Sequence, residues 1–113
     1  MSTPVETLWP IPDDLSPDGR TAAETIRTFL SVHNLTEHGG GGRFYSPTQW
    51  ADRGELYGTR SLLVITHDGG DHSRAFNLDY GDHASHERLQ QALAAVGMYV
   101  EGCTVWYSAV YRC

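Results

Sequence analysis

The stretch Arg60-Ser61-Leu62-Leu63-Val64-Ile65-Thr66-His67-Asp68-Gly69-Gly70-Asp71 decides the fold. Leu62 to Ile65 form an apolar run with no polar alternate, which describes a strand covered on both faces and therefore central in its sheet. Asp68-Gly69-Gly70-Asp71 is a hairpin turn signal. Beyond it Phe76, Leu78 and Tyr80 alternate with Ala75, Asn77 and Asp79, the pattern of a second strand with one buried face.

Working outward, Ser16-Pro17 supplies an N-cap followed by proline at the first helical position, and Ala22, Ile26, Phe29 and Leu30 recur at helical spacing as far as Asn34. Asp82 can cap another helix whose inner stripe is His86, Leu89, Leu93 and Val96, ended by Gly97. Tyr99 to Tyr111 reads as the last strand, bent near Gly102, with Trp106, Ser108 and Val110 on one face and Val105, Tyr107, Ala109 and Tyr111 on the other. The expected fold is α+β with topology α-β-β-α-β: a small three-stranded antiparallel sheet in the order 2-1-3 with two helices, the third strand reached by a right-handed crossover.

Residues 1–15 carry Pro4, Pro10 and Pro12 around Leu8, Trp9 and Ile11, so an extended arm anchored by its aromatic is expected ahead of a single domain over 16–113. Glycines 39–42 form a segment that neither helix nor strand favours, and read as a flexible loop. Residues 43–58 are irregular but aromatic, with Ser46-Pro47 repeating the cap signal for a short helix.

At 113 residues the chain has room for one domain. Its formal charge is −6, and all eight cations are isolated arginines, with no lysine. Nucleic-acid binding needs clustered cations that displace counterions from phosphates, and an anionic membrane surface needs them too, so neither is an expected partner. The longest apolar run is far too short to cross a bilayer. Met1 to Leu15 lacks the cationic start and apolar stretch of a secretion signal, which makes the cytoplasm the expected compartment. Cys103 and Cys113, ten residues apart in one strand, would have Cα atoms about 30 Å apart and cannot pair.

Two His/Asp groups stand out: His67, Asp68, Asp71 and His72 at the hairpin, and Asp79, Asp82, His83 and His86 at the next helix start. About seven residues of strand between them, roughly 23 Å, would keep them from sharing an ion. The hairpin group alone could supply two imidazoles and a carboxylate, or Cys103, to a Zn²⁺-like ion, although none of the recurring zinc spacings is present. Arg112 could pair with Asp79 or Asp82. No nucleophile elbow, phosphate loop or assigned carboxylate pair occurs, so no catalytic residue and no cofactor is expected. The aromatic residues, by contrast, exceed what one sheet face packed by two helices can bury. Tyr45, Trp50, Tyr57, Tyr107 and Tyr111 are the expected protein-binding anchors.

The runs Thr66-His67-Asp68-Gly69-Gly70, Phe76-Asn77-Leu78-Asp79-Tyr80-Gly81-Asp82 and Trp106-Tyr107-Ser108-Ala109-Val110-Tyr111 resemble a group of small uncharacterised proteins of actinobacteria and their phages. The resemblance covers the C-terminal half and implies a genomic setting in keeping with the missing lysine, and no activity. The expected function is therefore a non-enzymatic, acidic interaction module that binds a cellular or host protein or a second copy of itself as a homo-oligomer. The alternatives are a metal-binding protein or metal-dependent enzyme built on His67, Asp68, Asp71 and His72, and an acidic mimic of nucleic acid.

Overall fold

The structure, a computed structural model, describes residues 5–113. In chain order it contains α1 (Val5–Leu8), α2 (Pro17–Val32), β1 (Arg43–Tyr45), α3 (Pro47–Asp52), β2 (Leu63–Thr66), α4 (Ser73–Phe76), a 3-10 turn (Leu78–Tyr80), α5 (His83–Ala94), β3 (Met98–Gly102) and β4 (Tyr107–Arg112). The α+β class holds, and β2 is an inner strand as its unbroken apolar run requires. The sheet, however, has four antiparallel strands in the order β1-β2-β4-β3.

Two segments account for the difference from the expected 2-1-3 sheet. Residues 73–80 are not a strand. The chain leaving the Asp68–Asp71 turn coils into α4 and a 3-10 turn, because the Ser73 hydroxyl donates to the carbonyls of His67 (2.5 Å) and Gly69 (2.7 Å) and draws the backbone inward. Residues 99–111 are not one strand but the hairpin β3–β4. The N–H groups of Cys103 and Thr104 both donate to Tyr107 O at 3.1 Å, and Trp106 N–H donates to Thr104 Oγ1, which closes the turn. Arg43–Tyr45, expected to be irregular, adds the remaining strand.

The helix signals act as the residue chemistry dictates. Ser16 and Ser46 each accept a backbone N–H three residues on, from Gly19 and Gln49, and Gln49 Oε1 accepts the Ser46 N–H in return, a complete capping box. Asp82 accepts Ser85 N–H at 3.2 Å to start α5. Arg112 pairs with Asp18 of α2 rather than with Asp79 or Asp82, and Arg74 reaches Asp82 at 4.0 Å.

On one face of the sheet α2, α4 and α5 enclose the main core, including Ile26, Leu30, Leu63, Ile65, Phe76, Leu89, Leu93, Val100 and Val110. Trp9 is fully buried in it, donating Nε1–H to Thr36 O, so the N-terminal segment is pinned by its aromatic ring. Val5–Leu8 is a helical turn rather than an extended arm, and residues 1–4, with Pro4, lie outside the described residues. On the other face a smaller core joins Trp50, Val64, Tyr107 and Ala109, covered by α3 and the loop that follows it.

Glycines 39–42 form a seam against the turn at 68–72. A Cβ on Gly39 would lie 2.5 Å from Gly70 N, and one on Gly42 would lie 2.5 Å from His72 Cε1 and 2.7 Å from Trp9. Asp71 N–H also donates to Glu37 O at 2.9 Å. The missing side chains allow two loops to touch backbone to backbone. Among the described residues no helix is long and apolar enough to cross a membrane.

Candidate functional site

The His/Asp group at the end of β2 is divided by the fold. His67 and His72 turn into the core, whereas Asp68 and Asp71 stay exposed on the turn between them. Among the described residues no three His, Cys, Asp or Glu side chains converge as a metal site. The expected ligand set of His67, Asp68, Asp71 and His72 is thus not assembled: the turn aims carboxylates at water while the flanking residues bury imidazoles.

Those imidazoles serve packing. His67 Nε2 lies 2.9 Å from Ser108 Oγ, and its ring stacks on Phe76 with centroids 5.4 Å apart. Burial, with His72 as the next cause, pushes its pKa down to about 4, so it is neutral at pH 7. His72 Nε2 is 3.1 Å from Thr66 O, and because a carbonyl can only accept, the proton must sit on Nε2. Its Nδ1 therefore carries a bare lone pair. Burial lowers the His72 pKa too, and the Nδ1 atoms of both rings are buried without a protein partner. The His67–Ser108 contact has the composition of a nucleophile–base pair, but Ser108 is buried. Cys103 lies against Gly58 on the opposite face of the sheet from His67, and burial followed by Glu101 pushes its thiol pKa up, away from a thiolate nucleophile.

The other face of the sheet carries the aromatic surplus. Residue alternation places Tyr45 (β1), Val64 (β2), Tyr107, Ala109 and Tyr111 (β4), and Tyr99 and Glu101 (β3) on it. Trp50 of α3 fills the centre, donating Nε1–H to Tyr57 O at 3.0 Å and packing on Tyr45 and Tyr107 at 4.9 and 4.8 Å. The Arg53 guanidinium lies over Trp50, 4.6 Å from its centroid, and donates to Tyr45 Oη.

Of the expected anchors, Trp50 and Tyr107 are therefore core residues: both are buried, because α3 folds over the sheet and uses them as its contact. Tyr45 and Tyr111 are half-buried, and Tyr57 is 59% exposed. Beside Tyr57, Leu56 is 82% exposed. At the side α3 does not reach, Tyr99 stacks on Tyr111 with centroids 5.8 Å apart and remains 37% exposed. Tyr99 was not among the expected anchors. Its signal was the alternation Tyr99-Val100-Glu101, which separates a buried Val100 from outward neighbours. On this side of the sheet Tyr99 is exposed beside the half-buried Tyr111, and Leu56 and Tyr57 are exposed in the loop after α3; Val32, Leu78, Tyr80, Val96 and Val105 are exposed elsewhere in the chain. In comparison with known proteins, no family model, no curated protein and no solved structure matches this chain.

Proposed function

We propose that this protein is a non-enzymatic interaction module, of the accessory kind found in actinobacteria and their phages, that presents the aromatic side of its sheet to a partner protein segment combining arginine or lysine with apolar side chains. The observation that carries this reading is the Tyr99–Tyr111 stack, in which Tyr99 remains 37% exposed on the sheet face that carries the aromatic surplus. Tyrosines presented in pairs supply large contact area at low entropic cost and accept cations on their faces. The neighbouring Glu55 and Glu101, in a chain of net charge −6, favour a cationic partner and speed its approach. The same charge opposes face-to-face pairing of two identical copies.

Selection from a library of random short peptides tests this. Enriched peptides should combine Arg or Lys with Leu, Phe or Trp, weaken at high salt, and lose at least about tenfold in affinity on Tyr99→Ala or Tyr57→Ala at unchanged melting temperature. Absence of enrichment, or peptides that bind both variants as tightly as the native protein, would overturn it. A stable dimer through this face, seen by sedimentation and abolished by Tyr99→Ala, would replace the cationic partner with a second copy.

A further inference from the structure

The loop at Glu37–Gly42 is folded back on itself by its own polar groups. Gly39 N–H donates to Glu37 Oε1 at 3.0 Å, Gly40 N–H donates to His38 Nδ1 at 2.9 Å, and the N–H groups of Gly41 and Gly42 both donate to His38 O. The Gly40 bond decides the chemistry of His38. A nitrogen that accepts a hydrogen bond cannot carry the proton, so the neutral ring is protonated on Nε2 and that atom is a donor.

Beside this loop is a cavity of about 300 Å³. Thr7 and Pro10 wall it, the backbone of glycines 40–42 floors it, and His38, Arg43 and Tyr45 complete its lining. Side chains on Gly41 and Gly42 would collide with Asp68 and His72 respectively, so bare main chain is what these positions present to the cavity. Each polar side chain around it has a proton to give. Arg43 offers a guanidinium, His38 its Nε2–H, and Thr7 a hydroxyl. Tyr45 Oη already accepts from Arg53 Nη1 at 3.0 Å, which leaves its own O–H free to donate. Among the residues from Thr7 onward no carboxylate is part of the lining.

We infer that this cavity binds a small organic oxyanion, a carboxylate or a phosphate monoester, with Arg43 as its charge partner and His38 Nε2–H as a second donor. A planar guanidinium fork matches either group in a bidentate manner. The volume is at the small end of the range for small-molecule sites, which limits the ligand to about one ring or a short chain. The site shares Tyr45 with the aromatic face but does not depend on the Tyr99–Tyr111 stack.

The test is a titration of the ¹⁵N-labelled full chain with inorganic phosphate, acetate, a nucleoside monophosphate and, as a cationic control, putrescine. Saturable shifts of the amides of His38 to Tyr45 are expected with anions and not with putrescine, and the ratio of phosphate to acetate affinity identifies which oxyanion is preferred. Arg43→Gln should weaken binding at least tenfold, while Arg43→Lys retains part of it. His38→Asn keeps an acceptor for Gly40 N–H but removes the Nε2 donor, and should weaken binding severalfold with unchanged melting temperature. No saturable shift with any anion, or equal affinity in native protein and Arg43→Gln, would overturn the assignment.

Discussion

Gln90 holds Val100 by both of its backbone groups. The side-chain carbonyl of Gln90 accepts Val100 N–H at 2.9 Å, and its amide nitrogen donates to Val100 O at 2.7 Å. Val100 faces Val110 across the β3–β4 ladder, yet these two groups point away from β4, at the open edge of the sheet. One amide from α5 thus occupies the place where another strand would pair.

Removing that amide should convert the edge into a sticky one. Gln90→Ala is expected to show a stronger concentration dependence in sedimentation than the native chain, and to lose about 1–3 kcal/mol from the unpaired backbone groups. Gln90→Glu keeps the acceptor and loses the donor, so its urea midpoint should fall between the two.

Burial of His67 makes stability depend on pH. Its folded pKa of about 4 lies below the ordinary value of 6.5, so between these values the unfolded chain binds more protons than the native one. Stability is then fully present above pH 6.5, declines as pH falls through that window, and levels off below about pH 4. The expected loss from His67 is up to about 3 kcal/mol, and His72, lowered in the same direction, adds to it. Urea unfolding at pH 7.5 and pH 4.5 measures it, and His72→Phe should flatten the profile.

The glycine seam should resist the smallest enlargement. Gly42→Ala places a methyl group 2.5 Å from His72 Cε1 and 2.7 Å from Trp9, and is expected to cost about 1–3 kcal/mol. Gly102→Ala, where the nearest atom is Ser108 Oγ at 4.0 Å, should stay within about 0.5 kcal/mol of the native chain. Equal effects in thermal unfolding would show that the loops do not meet as described.

Trp50→Ala should destabilise the domain by about 3–5 kcal/mol, since it removes a fully buried ring that Tyr45, Tyr107 and Trp106 pack against. Trp50→Phe retains most of the packing but leaves Tyr57 O without its donor, and should cost less. A fluorescence-monitored or circular-dichroism unfolding series distinguishes the two.

The parts of the fold that follow from short-range chemistry were legible in the residues. Ser16-Pro17, Ser46-Pro47 and Asp82 start helices by side-chain caps that need no tertiary information. Leu63 to Ile65 announces an inner strand because no polar residue interrupts it. The alternation at 75–80 misleads because so short a run fits either period, and what decides it is the long-range seating of Ser73 and His72 in the core. The β3–β4 turn is hidden because its loop contains Val105 and Trp106 instead of an Asn-Gly or Asp-Gly pair. At the candidate site, the aromatic excess was visible in composition, but which rings stay outside depends on where α3 lands. Nothing in the sequence near Trp50 states that, nor that Tyr99 stays 37% exposed beside a half-buried Tyr111.

The two cores on either side of the sheet are unequal, and the smaller is roofed only by α3 and the loop that follows it. Amide hydrogens of α3 and residues 53–60 should therefore exchange with solvent by a sub-global opening, while those of α2, β2 and β4 wait for complete unfolding. Such an opening would bare Trp50, Val64 and Tyr107 together, lending the protein a transient second apolar surface.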